Sequence, residues 1–192
     1  MTPKSRFLLG QGESGKVYAL SPLPSASLAI KVFNNKESYH REVAFRRYLK
    51  ARLPNGSSYA AVEYGINKSY PQGFIVTPRF FPIEPKDVRR VEKRLVRLIF
   101  QCVAAGLLHN DLHWKNVMQT AAGDPVLIDF DLSAIVRPPA EKIDTLALLL
   151  GQLYMLVDSF NDNNKKFLSF VDGIVDLIYQ IRTSMKASVR AF

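Results

Sequence analysis

HNDLHWKN, residues 109–116, puts two histidines, an aspartate, a lysine and an asparagine into one short stretch. Three chemistries could use such a set: a metal centre, a nucleic-acid surface, or an oxygen-rich loop that handles phosphate and a hard cation. A zinc site wants three or four His or Cys ligands, and Cys102 is the one cysteine in the chain. A nucleic-acid surface would use Trp114 and Lys115 but would leave Asp111, Asn116 and the later Asp129 without a purpose. The third reading uses all of them, and the rest of the chain decides in its favour.

The chain has 192 residues, enough for one core, in two lobes at most. A single cysteine allows no internal disulfide and fits a reducing compartment. The N-terminal residues lack the apolar run of a signal peptide. The most apolar run, LALLLGQLYMLV at 146–157, is too short to span a bilayer and reads as a buried helix. The formal charge is +9, with 26 Lys and Arg against 17 Asp and Glu, so anionic partners are favoured. The densest basic stretch, KDVRRVEKRLVR at 86–97, carries Val88, Val91 and Leu95 at helical spacing. It reads as a helix with a solvated basic face rather than a nucleic-acid footprint.

Working outward, RFLLGQGESGKVYAL (6–20) predicts a strand, a glycine-rich turn and a second strand. LAIKVF (28–33) predicts a strand, and residues 37–53 a helix with Val43, Ala44, Tyr48 and Leu49 at helical spacing, ended by Pro54. Residues 60–80 predict two strands around a turn at Asn67–Gly73. Pro78, Pro82 and Pro85 mark a joint between lobes. Beyond it the pattern predicts a helix over 86–105 stopped by Gly106, then the 109–116 loop. A short hairpin over 117–130 follows, turning near Gly123–Asp124, and then helices over 140–157 and 165–182.

Gly10, Gly12 and Gly15 can lay bare backbone over phosphates, although such a string is equally a plain hairpin turn. A dinucleotide-binding turn would need a helix after Gly15, where KVYAL reads as a strand. A Walker loop would need Ser or Thr after Lys16, where Val17 stands. Lys31 lies inside an apolar strand, and burial calls for an anionic partner unless the strand is an exposed edge. Glu42 on the following helix offers one. Glu37 is the rival, though in the first turn it could serve the helix dipole alone.

In order, the chain presents a glycine-rich strand pair, A-I-K on a strand, a helix with Glu, H-x-D-L-x-x-x-N, and I-D-F. Over residues 8–157 this order and spacing resembles the protein kinase superfamily. The resemblance implies an α+β, bilobal kinase-like fold forming one minimal domain. Its N-lobe (1–80) would hold an antiparallel sheet and one helix, its hinge would run over 81–85, and its reduced, mostly helical C-lobe (86–192) would lack a full activation segment. It further implies ATP and Mg2+ as cofactors. Gly10, Gly12 and Gly15 would cover the phosphates, and Lys31, positioned by Glu42, would hold them. Asp111 would orient the attacking hydroxyl, Lys115 would neutralise the transferring phosphate, and Asn116 and Asp129 would hold the metal. His109 would be structural, while His113 and Trp114 would border the substrate.

The departures matter too. Asn110 replaces the arginine that pairs with a phosphorylated activation loop, and D-L-H is similar to the loops of lipopolysaccharide, aminoglycoside and choline kinases. Asp131 stands where the family has glycine. Aspartate tolerates unusual backbone angles, so it either adds a carboxylate near magnesium or bonds the turn. Only SAIVRPPAEK, read as a simple connector, lies between this turn and Asp144, which looks like the aspartate that opens the large C-lobe helix. In this brevity the chain is similar to RIO-type kinases and to short bacterial effector kinases that phosphorylate a host chaperone. The expectation is an active serine/threonine-protein kinase acting as a monomer on a protein substrate, with no nucleic acid and no integral membrane association. It would be cytoplasmic, or secreted into a host cytosol if an effector. A small-molecule or lipopolysaccharide-type kinase is the alternative, and a non-catalytic pseudokinase module the second alternative.

Overall fold

The computed structural model describes residues 8–20, 28–54, 56–83, 88–138 and 142–158. The expected helix over 165–182 lies outside them. The first lobe is a five-stranded antiparallel sheet of β1 (Leu8–Gln11), β2 (Gly15–Ala19), β3 (Leu28–Phe33), β4 (Glu63–Gly65) and β5 (Phe74–Pro78), in the order β1-β2-β3-β5-β4. Cross-strand partners share a face, so Gly10, Val17, Lys31, Ile75 and Tyr64 form one row across the sheet. The β4–β5 turn forms where expected. The Asn67 side chain accepts hydrogen bonds from the N–H groups of Ser69 and Tyr70, both at 2.9 Å, and Gly73 adopts φ 110°.

Helix α1 (Lys36–Arg52) starts where the Asn35 side chain accepts a hydrogen bond from the Ser38 N–H at 2.8 Å, and ends at Leu53, before Pro54. Its buried face is Tyr39, Glu42, Phe45, Arg46 and Leu49. This corrects the face read from apolar spacing: Ala44 is exposed, and Val43 and Tyr48 are only half-buried. A spacing rule that counts only apolar residues passes over Glu42 and Arg46, which enter the core as an ion pair.

The second lobe holds β6 (Phe81–Pro82), α2 (Val88–Ala104), β7 (Leu107–Leu108), β8 (Val117–Gln119), β9 (Pro125–Leu127), β10 (Ala134–Ile135) and α3 (Lys142–Asp158). The β8–β9 hairpin turns through Gly123 at φ 83°, as its sequence predicts. Phe81 and Pro82, at the start of the expected hinge, pair with Gln119 and Met118. The connector after Asp131 is not simple: Ala134 and Ile135 pair with Leu108 and Leu107, and the Val136 N–H reaches the Gly106 carbonyl at 2.7 Å. Pairings between segments this far apart in sequence leave no local signal. Gly106, at φ 82°, is needed here, since a Cβ would lie 2.3 Å from the Val136 oxygen.

One core joins the lobes. Phe45, Leu49 and Tyr59 pack with Val91, Leu95 and Ile99 of α2, Leu127, Phe130, and Leu149 and Leu153 of α3. The Tyr48 hydroxyl donates to the Ala105 carbonyl and ties α1 to the end of α2.

The glycines of the β1–β2 turn answer to different demands. A Cβ on Gly10 or Gly12 would meet nothing within 4 Å, whereas one on Gly15 would lie 2.2 Å from the Val32 carbonyl oxygen. Gly15→Ala is therefore expected to destabilise the fold by about 1–3 kcal/mol through overpacking. Gly12→Ala should leave the urea midpoint unchanged; equal midpoints for both variants would refute this division.

Candidate functional site

Burial of Lys31 on β3 is balanced by Glu42, whose Oε2 lies 3.1 Å from Nζ. The rival, Glu37, pairs with Arg41 at 3.1 Å on the exposed start of α1. Glu42 is 1% exposed and also accepts a hydrogen bond from Arg46 Nε at 2.8 Å through its other oxygen. Burial pushes its carboxyl up, but the Lys31 and Arg46 cations and their hydrogen bonds outweigh this and bring it down to about 2.

The loop at 109–116 is fixed from below. His109 is buried, its Nε2 2.9 Å from the Ile128 carbonyl oxygen and its ring against Phe130, with centroids 5.4 Å apart. Burial lowers its pKa, so it stands neutral, with Nε2 donating. The backbone N–H groups of His109 and Asn110 converge on the buried Gln152 Oε1 of α3, at 2.8 and 3.4 Å. Asp144, expected to open this helix, lies in its first turn and is exposed, and Gln152 anchors the loop. The helical pattern alone gives no sign of this, because a buried glutamine within an apolar helix identifies neither its partner nor its direction.

Above this base, Asn116 sits at the end of a short 3-10 turn (Trp114–Asn116) and is buried. Its Nδ2 donates to the Asp111 carbonyl at 2.9 Å and to Asp111 Oδ2 at 3.0 Å, which leaves the amide oxygen available as a ligand. His113 Nε2 lies 3.6 Å from the same carboxylate oxygen. Lys115 is exposed and makes no ion pair among the described residues.

Phe130 is fully buried, stacked on Phe45 at 5.8 Å, and thereby sets Asp129 and Asp131 at the edge of the core. Left-handed backbone occurs at Asp129, φ 64°, and at Asn110, φ 59°. Asp131 contributes differently: its carbonyl accepts a hydrogen bond from Arg41. Burial raises the pKa of Asp129; the Lys31 cation opposes this, and Asp131, Glu42 and Asp111 add to it. Those couplings bring Lys31, Glu42, Asp111, Asp129 and Asp131 into one electrostatic site. Asp129 Oδ1 and Asp131 Oδ1 are both buried and have no hydrogen-bond partner. Two orphaned carboxylate oxygens beside a free amide oxygen suit a hard, oxygen-seeking cation. No group of three His, Cys, Asp or Glu side chains among the described residues forms a metal cage, so such a cation would need oxygens from a ligand. Cys102 takes no part: it is buried, and burial pushes its thiol up to about 12.

With this geometry in hand, the comparisons are specific. No family model matches the chain. It is 30% identical over 147 residues to CBL-interacting protein kinase 30 of Oryza sativa subsp. japonica, an alignment covering 67% of this chain and 30% of that protein. It is 28% identical over 144 residues to the putative CBL-interacting protein kinase 13 of the same organism, covering 67% of this chain and 28% of the relative. The chain thus spans less than a third of each relative's length. Among solved structures it superposes on the ROP18 kinase domain in complex with AMP-PNP and sucrose, with TM-score 0.52 and 18% identity over 77% of this chain and 61% of that one. The fold is the protein-kinase fold. In sequence the chain is similar to protein kinases over two thirds of its length.

The Glu42 carboxylate yields a stability prediction. Its folded-state pKa is depressed, so its contribution is complete above the ordinary value of 4.5 and fades as the pH falls through about 2. Glu42→Gln should lose about 3 kcal/mol at pH 7 by leaving two buried cations short of a counter-charge. In urea titrations the gap between wild type and variant should narrow below pH about 4.5. A gap that is constant from pH 7 to pH 3 would exclude an ionised Glu42 as its source.

Proposed function

We propose that the chain is an ATP- and magnesium-dependent phosphotransferase of the protein-kinase type. One observation carries this reading: the Lys31–Glu42 pair, the Asp111–Asn116 pair and the unpartnered oxygens of Asp129 and Asp131 meet at a single electrostatic site. Gly10 lies in the Lys31 row two strands away, roughly 10 Å at ordinary strand spacing, and nothing occupies the space a Cβ would take at Gly10 or Gly12. The backbone there can close over phosphates that Lys31 holds from the same face.

The roles follow from charge and position. Lys31 binds phosphate oxygens and is kept from collapsing onto Asp129 by Glu42. Asn116 and Asp129 would hold magnesium, which would supply charge neutralisation for the transferring phosphoryl group. Asp111, its carboxylate steadied by Asn116, accepts a hydrogen bond from the attacking hydroxyl and so aims it. Lys115, exposed on this loop and without an ion pair among the described residues, meets the phosphoryl group. The acceptor we favour is a serine or threonine hydroxyl of a protein. The net charge of +9 supports acidic partners, a host chaperone among them if the chain is a secreted effector. A small alcohol or lipopolysaccharide-type acceptor is the second reading, because the short segment after Asp131 is paired to β7 rather than presented for peptide docking.

Incubation with labelled ATP and magnesium, with protein and small-alcohol acceptors offered in parallel, tests the reading. Lys31→Met and Asp129→Asn should each lower turnover at least about a hundredfold while keeping the fold. Wild-type rates in Lys31→Met would show that this lysine does not hold phosphate. No transfer by the wild-type chain to either acceptor, with nucleotide still bound, would favour the non-catalytic module.

Regulation should not need a loop phosphate. Ser133 is buried and donates to the His109 carbonyl at 3.0 Å, while Asn110 Nδ2 holds the Leu132 carbonyl at 3.2 Å. Phosphatase-treated enzyme is expected to retain its initial rate. A large loss on treatment, with the fold intact, would reveal a phosphate-dependent switch.

A further inference from the structure

The glycine-rich turn between β1 and β2 is held down from one side. Every residue of β1 is exposed, and the space beside Gly10 and Gly12 is empty, so β1 gives the turn no packing support. Within the turn, the Gly12 N–H donates to the Gly15 carbonyl at 3.0 Å. Asn34, the first residue after β3, adds two further bonds at the tip. Its side-chain Nδ2 donates to the Glu13 carbonyl at 2.8 Å, and its backbone N–H donates to the Ser14 carbonyl at 3.0 Å. The tip therefore lies down against the end of β3, and Ser14 is buried there.

These bonds have a directional consequence. In a trans peptide the C=O and the N–H that follows it point in opposite directions. Fixing the Glu13 carbonyl on Asn34 turns the Ser14 N–H away from Asn34, and fixing the Ser14 carbonyl turns the Gly15 N–H the same way. Successive backbone N–H groups that share a direction suit an anion. The fold itself does not call for the Asn34 side chain. The residue is exposed, and the cap of α1 is supplied by its neighbour Asn35.

We propose that Asn34 is a positioning residue: it straps the glycine-rich turn to the end of β3 and so aims the Ser14 and Gly15 N–H groups at the phosphates of a bound nucleoside triphosphate. This role presupposes the phosphotransferase reading and adds to it a residue that touches neither phosphate nor metal. Its effect is one of pre-organisation, because a turn already bonded in place loses less freedom when the phosphates arrive. The strap acts on the phosphate end of the nucleotide and leaves binding of the nucleoside alone.

Calorimetry on the full chain tests the strap, with adenosine and the β,γ-imido analogue of ATP plus magnesium as separate titrants. Asn34→Asp keeps the shape of the side chain and removes its donor, and Asn34→Ala removes both. The position is exposed, so the fold should persist in each. Both variants should bind the analogue about threefold to tenfold more weakly, as expected for one lost neutral hydrogen bond. Both should bind adenosine as the wild type does. Unchanged affinity for the analogue, or an equal loss for adenosine, would overturn the strap while leaving the phosphotransferase reading in place. No binding of the analogue by the wild type would overturn both.

Discussion

A single buried carboxylate organises this molecule. Glu42 stands between Lys31 on the sheet and Arg46 one turn along its own helix, and each of its oxygens holds one cation. Burying three charged groups is tolerable only because they neutralise one another in part and share hydrogen bonds. That constraint docks α1 on the sheet in one register. It fixes which face of α1 enters the core, and it puts Lys31 within electrostatic reach of Asp129.

Phe130 transmits this arrangement to the second lobe. Its ring contacts Phe45 of α1, Tyr59 of the turn before β4, and His109 of the loop, with centroids 5.8, 6.2 and 5.4 Å away. Packing of that ring sets the two flanking aspartates without help from a long activation segment. Arg41, Asn110 and Ser133 then pin the segment after Asp129 through backbone carbonyls. So many local bonds hold this segment in a defined arrangement.

The comparisons and the geometry support each other at different depths. Identity near 30% over two thirds of the chain and the shared fold make up its likeness to protein kinases. The chemistry assigned to individual residues rests instead on distances, burial and unsatisfied atoms within this chain. Among these, the orphaned oxygens of Asp129 and Asp131 point to a hard cation independently of any relative.

Much of the fold was legible in the sequence because it depends on local signals. The compact apolar run of LAIKVF, Asn67 and Gly73 in the β4–β5 turn, Gly123 in the β8–β9 turn, and Pro54 after α1 each act over a few residues. The order of Lys31, Glu42, Asp111, Asn116 and Asp129 was legible for the same reason: each sits on an element whose type its neighbours specify. What only the tertiary structure decided involves partners far apart in sequence. Gln152 anchors the 109–116 loop across 43 residues, and β10 returns to pair with β7. Arg46 enters the core paired with Glu42, and Asp129 takes the left-handed backbone. Sequence patterning records which residues prefer water and which local turns are cheap. Where a buried polar group finds its partner is set by packing between segments, and that information exists only once the chain has folded.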